Sequence, residues 1–269
     1  MLKDITFGQY YDSKSLLHKT DPRVKIVLMI LFIIFIFISD NMFALGLSAV
    51  SVLLITLISK VPFKLYFKNM KAILPILIFT AIINLFYNNG GTVLFSFWKF
   101  ELTTGGIYKS VFMALRIVLL IFVSSVLTYT TTPNDLTDAI ESLLSPLKYV
   151  GLKNAVHTLA MMMTIALRFI PTLIEEAEKI MNAQKARGAD LESGGLIERV
   201  KALIPILIPL LISSVRRAYE LAEAMECRCY NGGEGKTRMN QMSLHFCDLA
   251  VSLATVVFCF GIILLNTLF

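Results

Sequence analysis

Five stretches of the chain are apolar over nearly the length that a helix needs to cross a lipid bilayer. They comprise residues 24–38 with their flanks, 41–59, 72–87, 107–128 and 246–269. The hydrocarbon core of a bilayer is about 30 Å thick and a helix rises about 1.5 Å per residue, so a span takes roughly 20 residues. Unpaired backbone groups cannot face lipid, so each stretch must be helical. The chain is therefore predicted to be an all-α integral membrane protein with about five transmembrane helices.

The composition excludes an ordinary soluble domain. Hydrophobic residues make up 56% of the 269 residues and charged residues only 16%, whereas soluble domains carry about a quarter charged residues. The first apolar stretch follows more than twenty residues that are rich in polar and charged side chains, which is the wrong flank for a cleaved signal peptide. We therefore expect an uncleaved, multi-pass protein of the cell membrane.

Lysine and arginine are concentrated on one side of the predicted spans. Thirteen of them lie between residues 129 and 245, and those that flank the first two spans are Lys3, Lys14, Lys19, Arg23, Lys25, Lys60, Lys64, Lys68 and Lys71. The opposite side shows only Asp40 in one loop and Lys99 with Glu101 in the other. By the positive-inside rule the N-terminus is predicted to be cytoplasmic and, after five spans, the C-terminus outside. This bias accounts for the net charge of +6, so no nucleic acid partner is expected.

The chain divides into three parts. Residues 1–128 are predicted to form a four-span membrane block, residues 129–244 a charged helical block on the cytoplasmic side, and residues 245–269 a final transmembrane helix. The four cysteines suggest neither a disulfide framework nor a metal site. Cys227, Cys229, His245 and Cys247 could be argued as zinc ligands, but their spacing matches no closed structural zinc pattern.

The middle block is predicted to contain one short and two long helices. Thr132 is the expected N-cap of the short helix, and Pro133 its first residue. The long helices are predicted at about 154–187 and 196–230, each with an apolar first half and a charged second half. The apolar halves, 155–170 and 202–215, are short for a crossing, so we expect them to be half-embedded or packed on the other spans. Two extra crossings remain open.

Each long helix ends in a similar arginine motif. Arg187 and Arg228 stand 41 positions apart, and at that offset small or apolar residues coincide. The aligned pairs are Ala177 with Ala218, Ile180 with Leu221, and Ala183 with Ala224. Either motif alone is typical of a solvated helix made of good helix formers. Two of them on the cytoplasmic side of a membrane protein favour a docking surface, since an arginine keeps its charge and can contact a carboxylate or carbonyl through two donors.

Three features together resemble a known family. The run from His18 to Lys25, which contains Asp21, Pro22 and Arg23, stands just before the first span. Long cytoplasmic helices follow the span block, and both end in Ala-Arg-Gly-type motifs. The chain in these respects resembles, over essentially its whole length, the transmembrane T component (EcfT-like) of an energy-coupling factor (ECF) type ABC transporter.

This resemblance implies a function and a set of partners. The T component joins a membrane-embedded S component, which binds the vitamin or metal ion, to two cytoplasmic ABC ATPase subunits, and each arginine motif inserts into a groove on one ATPase. The implied docking residues are Ala186, Arg187, Gly188, Cys227, Arg228 and Cys229, where the two cysteines replace the usual small residues. The implied protein is not an enzyme and binds no cofactor, because ATP and Mg belong to the ATPases.

Two functions from other classes compete with this one. A stand-alone transporter or channel needs ionisable or discontinuous features within the spans, for which Arg116 and Asn84 are the candidates. An intramembrane hydrolase of the paired-glutamate kind would use Glu175 and Glu176, but its pattern needs an arginine where Ile180 stands. The segment 232–237 resembles a phosphate-binding loop, but its spacing is too short and no strand precedes it.

Overall fold

The computed structural model describes residues 10–87, 92–97, 100–146, 153–189, 195–231, 243 and 245–268. Its elements, in chain order, are α1 (Leu16–Lys19), α2 (Pro22–Ile38), α3 (Met42–Ser59), α4 (Phe63–Tyr87), β1 (Val93–Phe97), β2 (Phe100–Thr103), α5 (Thr104–Thr130), α6 (Pro133–Leu144), α7 (Lys153–Ala186), α8 (Leu196–Cys227) and α9 (Phe246–Leu268). The two short strands form one antiparallel hairpin between α4 and α5. The prediction of a helical membrane protein is confirmed.

The predicted spans correspond to α2, α3, α4, α5 and α9. Within the described ranges, six helices are long and apolar enough to cross a membrane, and they are α3, α4, α5, α7, α8 and α9. The 17-residue helix α2 is shorter than these six. The count of about five spans is therefore approximate, because α7 and α8, whose apolar halves were expected to be half-embedded, are also long and apolar enough to cross.

The described helices form two compact units. One contains α1 to α5 together with α9, and the other contains α7, α8 and most of α6. The boundaries predicted at residues 128 and 244 stay a prediction. Only Thr131 and Thr132 separate α5 from α6, and the Oγ1 of Thr132 accepts the Asp135 N–H at 3.2 Å. The predicted N-cap of α6 is thereby confirmed.

Aromatic stacking and small polar residues hold the first unit together. Tyr66 is only 1% exposed, stacks on Phe122 with ring centres 5.3 Å apart, and meets the edge of Tyr129 at the same distance. On α3, the buried face carries Ala44, Ser48 and other small residues at helical spacing. Apolar side chains gain little from leaving lipid for protein, so helices in a membrane associate through close packing and hydrogen bonds. Small residues on α3 allow that close approach.

Candidate functional site

The long helix α7 ends in a cap that places Arg187 at its last turn. Gly188 has a left-handed φ of +85°, its N–H donates to the Lys185 carbonyl at 3.0 Å, and the Ala189 N–H donates to the Gln184 carbonyl at 3.0 Å. These two bonds are the Schellman motif, which satisfies carbonyls that a helix end would otherwise leave unpaired. Arg187 is the capping residue directly before the glycine, and its side chain is exposed.

Helix α8 ends in the same way around Arg228. The Cys229 N–H donates to the Glu226 carbonyl at 2.8 Å, and the Tyr230 N–H donates to the Met225 carbonyl at 3.0 Å. Each donor and acceptor lies 41 positions after its counterpart in the first cap. Arg228 is again the exposed capping residue. The repeat seen in the sequence is therefore a repeat of backbone geometry, and each arginine stands at the negative end of a helix dipole.

The two caps differ at the residue that follows the arginine. Cys229 takes the left-handed position that Gly188 occupies in the first cap, with a φ of 53°. A side chain with a Cβ atom is disfavoured in this conformation by roughly 1–2 kcal/mol. The small size of cysteine, which makes it resemble the usual residue of the motif, is therefore secondary at this position. Glycine adopts a positive φ without this cost, whereas cysteine does not. In a sequence, a glycine directly after the last residue of a helix indicates such a left-handed position.

We predict opposite effects when glycine is exchanged at the two caps. Gly188→Ala should destabilise the end of α7 by about 1 kcal/mol, and Cys229→Gly should stabilise the end of α8 by about the same amount. Hydrogen–deuterium exchange of the last helical turns in the purified chain would measure both. Cys227→Gly is the matched control, because Cys227 is still helical and glycine there should increase exchange. If Cys229→Gly also increased exchange, the left-handed position would be wrong.

Helices α7 and α8 cross at an ion pair between equivalent positions. The Nη2 of Arg217 donates to the Oε2 of Glu176 at 2.6 Å, and Ser213 also donates to this carboxylate. Glu176 and Arg217 are again 41 positions apart. The pair that joins the two helices thus stands at the same place in both copies of the repeat.

The direction of crossing follows from the cleft between the two helices. Ile165 and Phe169 of α7 line it together with Leu221 and Met225 of α8. Residues before Glu176 therefore face residues after Arg217, so the helices run in opposite directions past the ion pair. Eleven residues of helix lead from each partner of the pair to its arginine tip, which is about 16 Å. The two tips lie on opposite sides of the crossing at equal distances from it.

Charge-reversal variants at the crossing should show whether Glu176 and Arg217 stabilise the helices as a pair or independently. Glu176→Arg and Arg217→Glu each place like charges together, and each should destabilise the α7–α8 contact by about 1 kcal/mol, since both side chains are partly exposed. The double variant, Glu176→Arg with Arg217→Glu, should recover most of that loss. Thermal unfolding of the unmodified chain, the two single variants and the double variant completes a double-mutant cycle. Additive losses in the double variant would contradict the pairing.

The end of α8 has a second support. The Nε2 of His157 lies 3.4 Å from the Tyr230 hydroxyl, and its Nδ1 lies 3.3 Å from the Oε1 of Glu141. Tyr230 completes the second cap, while Glu141 belongs to α6. His157 therefore joins the second arginine cap to α6 through one side chain.

Asp21, Pro22 and Arg23, which belong to the run that carries the family resemblance, lie at the beginning of α2. We call these three residues the landmark. The Oδ1 of Asp21 accepts the Arg23 N–H at 2.9 Å, and the Asp21 N–H donates to the Oδ1 of Asp248 at 2.7 Å. The Nζ of Lys25 donates to the Thr130 carbonyl at the end of α5 at 3.0 Å. These residues belong to one compact unit, whereas Arg187 and Arg228 belong to the other. Asp21 and Lys25 form a joint of α2 with α9 and α5 through Asp248 and Thr130, and these two contacts were not recognised from the sequence.

The residues that the competing functions would use have structural contacts. Arg116 donates through Nη2 to the Ser39 carbonyl at the end of α2, and Asn84 donates to the Thr80 carbonyl within α4 at 2.9 Å. Glu176 belongs to the helix crossing described above. In the part of the chain that the structure describes, no group of three or more His, Cys, Asp or Glu side chains is placed to hold a metal ion. Residues 232–237 lie outside that part.

Known proteins match this chain over its full length. Residues 13–239 match the model of the CbiQ family, described as cobalt transport protein. The chain is 51% identical over 269 residues to the energy-coupling factor transporter transmembrane protein EcfT of Ruminiclostridium cellulolyticum, covering 100% of both chains. It is 49% identical to EcfT of Clostridium kluyveri, covering 98% of this chain and 97% of the relative. For EcfT of Bacillus subtilis the identity is 41%, with 96% of both chains covered.

Proposed function

The chain belongs to the EcfT family of transmembrane proteins of energy-coupling factor transporters, and we propose that it couples two cytoplasmic ABC ATPases to a membrane-embedded S component. In this role ATP hydrolysis by the ATPases drives movement of the S component, which carries a vitamin or metal ion into the cell. This chain binds no nucleotide itself. ATP and Mg belong to the ATPases, and the substrate pocket belongs to the S component.

The observation that carries the proposal is the pair of equivalent arginine caps. Two ATPases of one kind, or two similar ones, present two similar surfaces, and a chain that engages both needs two similar contacts. Arg187 and Arg228 supply them, because each is exposed, each caps a long helix and each lies eleven residues from the shared crossing. The neighbouring positions Ala186, Gly188, Cys227 and Cys229 carry small side chains, so a groove can close around each guanidinium.

The helices offer a route from the ATPases to the membrane. When ATP draws the two ATPases together, each displaces one arginine tip, and α7 and α8 change their crossing angle about the Glu176–Arg217 pair. Tyr230 and His157 pass displacement of the second tip to α6. Only Thr131 and Thr132 connect the transmembrane helix α5 to α6, so movement of α6 acts on α5.

The proposed orientation places the N-terminus in the cytoplasm and the C-terminus outside. The hydrogen bond from Asp21 to Asp248 brings the first turns of α2 and α9 together, and Asn266 near the end of α9 bonds the Ile38 carbonyl at the end of α2 at 2.9 Å. Helices α2 and α9 therefore run in the same direction. This arrangement supports termini on opposite sides of the membrane, with the lysine-rich N-terminal side inside.

Reconstitution into liposomes tests this function. Vesicles that contain the S component, both ATPases and this chain should take up substrate when ATP is supplied, and omission of this chain alone should abolish uptake while the ATPases still bind nucleotide. Uptake of the same substrate by vesicles that contain only this chain would overturn the proposal in favour of a stand-alone transporter.

A further inference from the structure

One face of α4 is cationic at its beginning and apolar afterwards. Lys64, Lys68 and Lys71 follow one another at spacings of four and three, which places them on a single stripe of the helix. The same stripe continues at the same spacings with Pro75, Ile78 and Ile82. All six positions are exposed, and the two isoleucines are 47% and 50% exposed. We call these six residues the α4 stripe.

The lysines of the α4 stripe have no anionic partner in the described part of the chain. The structure shows no ion pair or hydrogen bond of their side chains there, and the sequence contains no Asp or Glu between residues 41 and 100. The opposite face of α4 carries Tyr66, which is buried against α5. Among the described residues, α4 therefore packs through the face of Tyr66, and the three lysines on the other face have no anionic partner there.

The positive-inside bias explains why lysines lie on this side of the membrane, but it does not require them to share a stripe. It also does not require that stripe to continue as exposed apolar surface. A phospholipid has the complementary design, with an anionic headgroup at the membrane surface and acyl chains below it. Lysines near a membrane surface each contribute roughly fivefold to the binding of anionic lipid.

We propose that the α4 stripe binds an anionic phospholipid. The phosphate of the headgroup lies against Lys64, Lys68 and Lys71, and an acyl chain runs along Ile78 and Ile82. Long lysine side chains reach toward headgroups while their methylene groups stay in the apolar layer. Exposed Phe67 flanks the lysines, as aromatic residues do at membrane interfaces. This site does not depend on the ATPase contacts at Arg187 and Arg228.

Binding of defined lipids to the purified full chain tests the proposal. Native mass spectrometry should show retention of dioleoylphosphatidylglycerol in preference to dioleoylphosphatidylcholine. The variant Lys64→Gln/Lys68→Gln/Lys71→Gln should bind the anionic lipid about 100-fold more weakly. The matched control Lys14→Gln/Lys179→Gln/Lys201→Gln removes the same charge from exposed positions elsewhere and should bind like the unmodified chain. Size-exclusion chromatography shows that each variant is folded.

Three outcomes would overturn the proposal. The first is equal retention of the two lipids by the unmodified chain, and the second is unchanged retention by the α4 variant. The third is displacement of the bound lipid by inorganic phosphate at equal concentration, which would assign the lysines to a free anion instead. The second outcome, combined with loss of an ATPase or the S component when the α4 variant is purified from cells that produce them, would assign the stripe to a protein contact.

Discussion

The variant Arg187→Glu/Arg228→Glu is expected to be purified without its cytoplasmic ATPases. Each arginine is the exposed cap of a long helix, and on the proposed function each guanidinium enters a groove on one ATPase. Loss of one partner of a buried, hydrogen-bonded charge pair costs about 2–5 kcal/mol at an interface. Each single variant should therefore bind ATPase at least about 30-fold more weakly, and the double variant should retain none through affinity purification.

Control variants separate this effect from a change in net charge. Lys179→Glu/Arg216→Glu alters the same charges on exposed positions of the same two helices, and it should retain both ATPases. Arg187→Lys and Arg228→Lys keep the charge but lose the planar fork of donors, so they should give intermediate binding. Recovery of the ATPases with Arg187→Glu/Arg228→Glu at normal yield would contradict the assigned docking role.

The sequence predicted the helices of this chain better than it predicted their contacts. Long apolar stretches and a 41-residue offset are local or periodic signals, and they placed α7, α8 and both arginine motifs within a few residues. The same offset also joins Glu176 to Arg217, but Glu and Arg on a charged helix half do not reveal which of many possible partners they meet. Only the direction in which the two helices cross selects that pair.

The left-handed residue after each arginine was partly predictable. Glycine at position 188 follows a good helix-forming run, and such a glycine is the usual end of a helix. Cysteine at position 229 gives no such signal, because cysteine rarely adopts a positive φ. The similarity of the two caps therefore emerged from backbone hydrogen bonds, and it strengthens the case that Arg228 is equivalent to Arg187.

The polar joint at the beginning of α2 was beyond sequence reasoning. The sequence placed Asp21 only in the run before the first span, although an aspartate followed by proline is a common start of a helix. Its partner Asp248 lies 227 residues away, and nothing in the spacing of the chain connects them. The structure shows that Asp21 joins the first turns of α2 and α9, and that Lys25 on the first turn of α2 bonds the end of α5.

Asp248→Ala is expected to destabilise the chain by about 3 kcal/mol. The Asp248 side chain is one of the most buried polar groups among the described residues, with 3% exposure. Its Oδ1 accepts the Asp21 N–H at 2.7 Å, and its Oδ2 accepts the His245 N–H at 2.7 Å, which caps α9. Alanine removes the cap and leaves the buried Asp21 N–H without an acceptor. Loss of a cap costs about 1 kcal/mol and an orphaned buried donor about 1–3 kcal/mol.

Thermal unfolding of the purified variants in one detergent measures this loss. Asp248→Asn keeps one acceptor oxygen and should lose about half as much stability as Asp248→Ala. Asp40→Ala removes an exposed acid at the other end of α2 and should melt like the unmodified chain. Asp248→Ala melting at the unmodified temperature would show that the joint does not form. Because the joint and the arginine caps consist of different residues, Asp248→Ala should still retain its ATPases below its melting temperature. Arg187→Glu/Arg228→Glu should show the converse, an unchanged melting temperature without ATPases, and this reciprocal result would separate the role of the landmark from that of the tips.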